Sequence, residues 1–307
     1  MAQLITIGEI LVEFMAAKTG QTFLKAGHFR GPYASGAPAI MIDQAARLGA
    51  SCCIIACVGK DDFGELNVNR LKSDGVDVRG IILRDDETTG VAFVGYASDG
   101  SRKFIFHFSH AASGSLKPEE VNDQIFSDVK IFHIMGCSLC ASQSLHETVM
   151  HGARLAKKRG ALISFDPNVR PELLKIDGIR TAFSWILENC DILLTSKKEL
   201  EEAANKTVEE ALQAYQGKQA IVIRDGKIGT RVIAEGIDQI VPSFIVRELD
   251  PTGAGDCFDG AFLAMLLAGK SFVEAVRIGN AAGALSVTKR GPMEGAATPD
   301  EIKAIMH

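Results

Sequence analysis

Glycines at 253 and 255, followed at once by Asp256, form the most chemically suggestive spacing in the chain, within Asp250-Pro251-Thr252-Gly253-Ala254-Gly255-Asp256. Before this stretch, Gln239-Ile240-Val241 and Phe244-Ile245-Val246 read as extended strand. After it, Phe258, Ala261, Phe262, Met265 and Leu266 recur at helical spacing up to a stop at Gly269. The glycines therefore sit at a helix N-terminus, where the first backbone N–H groups lack partners and the helix dipole is positive. An anion such as a phosphate settles there, and glycine keeps Cβ atoms out of its way. Asp256 then has two readings. It could simply favour the helix start, or it could be a general base that takes a proton from a hydroxyl while the loop stabilises charge on a transferring phosphoryl group.

The other polar residues decide between these readings only through the elements that place them. Leu4-Ile5-Thr6-Ile7-Gly8 predicts a first buried strand that continues from Glu9 to Phe14, with Glu13 near its far end. Residues 15–34 lack helical periodicity and contain Gly20, Gly27, Gly31 and Pro32, an excursion from the sheet. Ser35-Gly36-Ala37-Pro38 opens a helix over 39–48, Ser51 to Val58 is an apolar strand, and a helix follows over 65–74. Thr89–Ala97 and Arg102–Phe108, joined by Ser98-Asp99-Gly100-Ser101, predict a hairpin. Together with residues 13–34 it would form a small second layer or lid.

From Ile125 onward, strand and helix alternate. Strands are expected over 130–134, 161–165, 191–195 and 219–224, and helices over 142–159, 179–189, 197–204 and 208–216. Such alternation implies a mostly parallel sheet covered on both faces, with ligands beyond the strand C-termini. Glu13, Asp166, Asn168, Glu199 and the 253–256 loop all fall just after strands, on that one edge. Each alone could be a turn or capping residue; convergence on one edge makes a site. Ser271-Phe272-Val273-Glu274 and Thr298-Pro299-Asp300-Glu301 are capping boxes and are assigned no chemistry.

Composition narrows the function classes. The 307 residues are 47% apolar, ample for a large core, and no apolar stretch approaches membrane-spanning length. The net charge of −5 gives no electrostatic reason to expect a nucleic-acid partner. The start runs directly into strand-like sequence, and most of the seven cysteines lie in apolar segments, so a reducing, cytoplasmic setting is expected. Cys137-Ser138-Leu139-Cys140 is a CxxC without a second ligand pair at metal spacing, which points to core or loop cysteines.

Taken together, Asp250 to Gly260 is similar to the C-terminal signature of the ribokinase-like, or PfkB-type, carbohydrate kinases. Ser35-Gly36-Ala37-Pro38-Ala39 through Gly49, then Val58-Gly59-Lys60-Asp61-Asp62-Phe63-Gly64, resembles their N-terminal signature. The likeness spans essentially the whole chain. It implies one ribokinase-like α/β kinase domain over 1–307, with a β lid formed by about 13–34 and 89–110. It implies Asp256 as catalytic base, with Gly253, Ala254 and Gly255 offering backbone N–H groups. It places Glu13, Ser35, Gly36, Ala37, His107, Asp166, Asn168 and Arg170 around the sugar. Ser196, Arg224, Gly226, Gly229 and Asn280 fall near ATP. Glu199 would order water on Mg²⁺, and Asp250 and Thr252 would border a K⁺ position. Dimerising relatives further imply a homodimer through the lid.

The chain departs from the family pattern at the sugar. Ser35-Gly36 replaces Gly-Gly, Ile40 stands where an Asn hydrogen-bonds sugar hydroxyls, and Glu13 replaces Asp. Ser196-Lys197-Lys198-Glu199 keeps only the Glu of Asn-x-x-Glu. Asp166-Pro167-Asn168-Val169-Arg170-Pro171 resembles the branch with fructokinases and 2-keto-3-deoxygluconate kinases. Ser35 to Gln44 resembles tagatose kinases. The Tyr and Arg that grip an acid sugar correspond to Ile105 and His107, so a neutral ketohexose is expected. The acid-sugar kinase, a nucleoside kinase and a non-catalytic sugar-binding module stay open. A nicotinamide-dependent oxidoreductase does not fit, because Phe258 stands where the dinucleotide fingerprint needs its third Gly.

Overall fold

A computed structural model describes residues 1–98, 101–169 and 178–307. The chain opens with β1 (Leu4–Ile7), β2 (Leu11–Ala16), β3 (Phe29–Ser35), α1 (Ala37–Arg47), β4 (Cys52–Gly59), α2 (Asp62–Ser73) and β5 (Ile81–Arg84). The hairpin β6 (Gly90–Tyr96) and β7 (Arg102–His107) follows, then β8 (Ile131–Met135), α3 (Gly136–Leu139), α4 (Gln143–Lys158), β9 (Leu162–Asp166) and α5 (Ile179–Asn189). The last third holds β10 (Ile192–Ser196), α6 (Lys197–Ala204), α7 (Val208–Ala214), β11 (Ala220–Arg224), β12 (Gly229–Ala234) and β13 (Ile237–Pro242). It closes with α8 (Ala254–Leu267), α9 (Phe272–Ser286) and α10 (Pro299–Met306).

The aliphatic runs have no polar alternation, so each strand they form must be covered on both faces. They assemble a nine-stranded sheet in the order β13-β12-β11-β10-β9-β8-β1-β4-β5. It is parallel except at β12 and β13, which pair antiparallel at one end. Alternate residues of one strand feed opposite cores. Leu4, Ile54, Ile131 and Leu194 pack with Ile42 of α1 and Phe262 of α8. Ile5, Ile55, Phe132 and Leu193 pack with Val149 of α4 and Ile186 of α5. Each such fully buried side chain stabilises the fold by roughly 1.5–3 kcal/mol relative to exposure.

A second sheet has the order β3-β2-β6-β7. The expected single strand from Leu4 to Phe14 is therefore two strands in two sheets. The break has a tertiary cause. Glu9, between the two apolar runs, is buried and its carboxylate accepts from Ser138 Oγ at 2.6 Å and Cys137 Sγ at 3.2 Å, which holds the irregular segment between β1 and β2. Helix α1 begins at Ala37 rather than Ala39, with Pro38 tolerated in the first turn. Phe244–Val246, expected as strand, lies beyond the end of β13 and has no strand conformation. The expected hairpin is present as β6 and β7.

Candidate active site

Asp256 lies in the first turn of α8, behind a loop whose shape is fixed from several sides. Gly253 is the N-cap with φ +81°, and a Cβ on it would stand 2.5 Å from Pro292 O, so only glycine fits. Asp250 braces the loop. Its Oδ1 accepts from the Thr252 amide at 3.1 Å and Tyr96 Oη at 3.2 Å, and its Oδ2 from the Gly291 amide at 3.1 Å. Among the described residues no side chain caps the start of α8 at Gly253, a position where helix N–H groups lack intrahelical partners. Gly255 differs from Gly253. A Cβ there would find only the Arg224 guanidinium, at an ordinary 3.5 Å. The fold has room for that methyl beside Arg224.

Two cavities meet at this helix start, sharing Arg224, Pro251, Ala254 and Gly255. One, of about 280 Å³, is lined by Glu9, Glu13, Asp166, Asn168 and Asp256, and roofed by Phe104, Phe106 and Phe108 of the lid side. The other, of about 400 Å³, is largely apolar, with Phe244, Val246, Phe258, Ala284 and Val287 in its walls. A compact polyhydroxylated molecule suits the first. A flat base suits the second, with its phosphates at the junction.

The charges behind the loop are arranged around Arg224. Its Nη2 lies 2.9 Å from Asp166 and 3.6 Å from Glu199, its Nη1 bonds Asp259, and Gly255 O accepts at 3.4 Å. Burial opposes the guanidinium charge, but Asp166 and Asp259 outweigh it and hold its pKa well above the usual arginine value. Burial likewise opposes ionisation of Asp166, and Arg224 reverses that, leaving it below the usual carboxylate range. For Asp259 burial wins and its pKa rises well above normal. Asn168 connects this group to Asp256. Its amide N donates to Asp166 Oδ1 at 2.9 Å and its Nδ2 to Asp256 Oδ1 at 3.1 Å. The positive φ of 39° that permits both is one asparagine tolerates better than most residues.

Most residues singled out from the sequence gather here. Glu13, Gly36, Ala37, Asp166, Asn168, Ser196, Glu199, Arg224 and the 252–256 loop line the first cavity, and Gly226 and Asn280 the second. Ser35 acts through its neighbour, its Oγ donating to Glu13 Oε1 at 2.6 Å. Ser196 caps α6 and donates to Glu199 Oε2 at 2.8 Å. Asn280 touches the second cavity, yet its amide is engaged with Thr230 Oγ1, Val241 O and Pro242 O. It shapes the pocket rather than reading a base edge. Gly229 is absent from the cavity lining; a Cβ there would meet Val241 O at 2.3 Å, so it serves the β12–β13 contact.

His107 is a correction. It is exposed, packs edge-on against Phe93, and belongs to the opposite face of β7 from Arg102, Phe104 and Phe106. Strand alternation imposes this, since side chains one residue apart point to opposite faces. Arg170 lies outside the described residues. Sequence reasoning missed Glu9, Arg102, the phenylalanine roof and Asp259. The period-two pattern of Arg102, Phe104, Phe106 and Phe108 was the available signal for the roof. Nothing local marks Asp259.

Comparison with known proteins agrees with this geometry. Residues 1–299 match the pfkB family carbohydrate kinase profile. Fructokinase-1 of Zea mays is 30% identical across 97% of this chain and 95% of its own length. A ribokinase II candidate from E. coli, solved in complex with ATP and Mg²⁺, is 44% identical, superposes with a TM-score of 0.93, and covers 100% of this chain and 99% of its own. A fructokinase double mutant from Vibrio cholerae, solved with fructose, ADP and potassium, is 25% identical with a TM-score of 0.86, covering 100% and 99%. With its two sheets, its glycine-lined helix start and a family match over nearly all of its length, this chain belongs to the pfkB family of carbohydrate kinases and has the ribokinase-like α/β fold.

Proposed function

We propose that this kinase transfers the γ-phosphoryl group of ATP to a primary hydroxyl of a neutral ketohexose such as fructose or tagatose. The observation that carries the reading is the meeting of an acid-lined cavity and an apolar one at the uncapped start of α8, with Asp256 in its first turn. The sugar occupies the first cavity and the adenine end of ATP the second. Asp256 then accepts the proton of the attacking hydroxyl as the new O–P bond forms. An alcohol is a weak acid, so this assistance is typically worth about 10²–10⁴ in rate. The backbone N–H groups of Ala254 and Gly255 lie where the equatorial oxygens of the phosphoryl group gain charge. Asn168 holds the Asp256 carboxylate in place. Mg²⁺, once bound, neutralises phosphate charge and aligns the leaving group; Glu199 Oε1 is the oxygen suited to its hydration shell.

Relatives named for fructose support the ketohexose assignment, and so does the charge of the cavity. Glu9, Glu13, Asp166, Glu199 and Asp256 face it against Arg102 and Arg224, an environment that repels a sugar acid. One observation favours 2-keto-3-deoxygluconate as a second reading: Arg102 is a lid cation in the cavity. Its Nη1, however, donates to Thr252 Oγ1 at 3.2 Å, so it stands at the anion loop. K⁺ belongs to the same proposal. The side chains of Asp250 and Thr252 already have protein partners, so main-chain carbonyls beside the loop would hold it. A homodimer formed through the lid is part of it too, as is a reducing cytoplasmic setting, which suits seven buried cysteines.

Coupled ADP release with fructose, tagatose and 2-keto-3-deoxygluconate, run in potassium and in choline buffer, tests the reading. Turnover is expected with a neutral ketohexose, and Asp256→Asn should lower it by at least about 10² while ATP binding persists. Turnover confined to the acid sugar overturns the substrate, unchanged activity in the variant overturns the base, and equal rates in both buffers remove K⁺.

A further inference from the structure

The polar lining of the sugar cavity is uneven. Glu9 contributes from the segment between β1 and β2, Glu13 from β2, Asp166 and Asn168 from the end of β9, Thr252 from the glycine loop, and Asp256 from α8. Helix α1 contributes only Ala37 and Ile40. Ile40 is 2% exposed, and its Cγ2 lies 3.4 Å from where a Cβ on Gly253 would stand. It is therefore wedged between the start of α1 and the loop that receives the phosphoryl group. Its own amide is engaged, donating to Gly36 O at 2.8 Å. The roof is apolar as well, with Phe104 and Phe106 stacked at a centroid separation of 5.3 Å. A sugar hydroxyl turned toward Ile40 would leave water without gaining a partner, which is unfavourable. A carbon carrying only hydrogens there would bury apolar surface instead.

We propose that the preferred substrate is a neutral monodeoxy ketohexose whose hydroxyl-free carbon lies against Ile40, making Ile40 a specificity-determining residue. This rests on the kinase reading above and narrows its substrate. An apolar wall rejects an added hydroxyl only weakly, so the preference over the parent sugar is about ten- to hundredfold in kcat/KM.

The test uses the full chain with ATP and Mg²⁺, measuring ADP release with fructose, tagatose and each of their monodeoxy counterparts that keeps a primary hydroxyl. One deoxy isomer is expected to exceed its parent by the stated factor. Ile40→Asn, and the milder Ile40→Thr, supply a partner for the hydroxyl and should shrink or reverse that ratio. Because the ratio is taken within each protein, a loss of stability in a variant does not enter it. A wild-type enzyme that uses either parent as well as every deoxy isomer overturns the proposal and leaves the kinase standing, and so does a ratio unmoved in both variants. If no sugar raises ADP release above the sugar-free rate, the kinase reading itself falls.

Discussion

The two glycines of the anion loop look equivalent in sequence but face different constraints. Gly253 has a left-handed backbone and the Pro292 carbonyl against it. Gly255 has neither, and its missing Cβ opens onto the junction of the cavities. Substituting each by alanine should therefore separate stability from activity. Gly253→Ala must carry a left-handed residue, costing about 1–2 kcal/mol before the clash is counted, and thermal unfolding should shift down clearly. Gly255→Ala sits in a helix, where alanine is favoured by about 1 kcal/mol, so its melting temperature should hold or rise. If the phosphoryl oxygens lie over this backbone as proposed, the methyl crowds them beside Arg224, and ADP release should fall at least about tenfold, as when an oxyanion donor is obstructed. Full turnover in Gly255→Ala would show that no anion comes close to this backbone. The same scale explains Arg224. Its guanidinium is tied to Asp166, Asp259 and Gly255 O, so it sets the position of the loop from behind.

At the scale of elements, the lid reaches the catalytic loop through one cross-strand pair. Tyr96 and Arg102 face each other on β6 and β7. Tyr96 donates to Asp250 and Arg102 to Thr252, each at 3.2 Å. Arg102 also lies over the Phe104 ring, 5.6 Å from its centroid, which stiffens it. Hydrogen bonds to charged groups are worth about 1.5–3 kcal/mol, enough to decide whether the lid stays on the loop during transfer. Arg102→Met should raise KM for the sugar about tenfold or more. It should also push the ratio of ADP released to sugar phosphate formed above one, as water gains access. A ratio of one with an unchanged KM would mean the contact is idle. Legibility in the sequence divides along the same lines. The parallel sheet was readable because its strands are uninterrupted aliphatic runs, and α5 because Ile179, Ala182, Phe183, Ile186 and Leu187 recur at helical spacing. The loop and Asp256 were readable because their chemistry is contiguous. The path of the chain after Ile7 was not, since the pinning of Glu9 by Cys137 and Ser138 joins residues far apart in sequence. His107 was misplaced for a different reason: a matched motif fixes a position along β7, whereas only strand phase fixes the face. Asp259 was invisible because its role comes from Arg224, on another element.

Considered whole, the molecule covers one of its sheets better than the other. The nine-stranded sheet has helices on both faces. The lid sheet presents one face to the cavity, while the other carries Phe14, Phe93 and Ile105, with Phe29 and Phe23 packed alongside. Phe14 and Phe93 stack at 5.6 Å and remain partly exposed, and Ile105 is 36% exposed. Strands β3 and β7 are open edges. Such a surface invites a partner, and a second copy related by a two-fold axis satisfies it with the same residues on each side. The consequence reaches the site, because β7 turns Ile105 outward between Phe104 and Phe106, which roof the acid-lined cavity. A lid clasped by its twin would hold that roof steady. Sedimentation should therefore find a dimer at micromolar concentration, and Ile105→Lys should shift it to monomer by burying an unpaired charge at the contact. In that variant KM for the sugar should rise severalfold while KM for ATP, whose cavity lies away from the lid strands, stays put. A wild-type monomer at micromolar concentration rules out the dimer. A monomeric Ile105→Lys with unchanged KM for the sugar would leave the dimer intact as a fact but remove its bearing on catalysis.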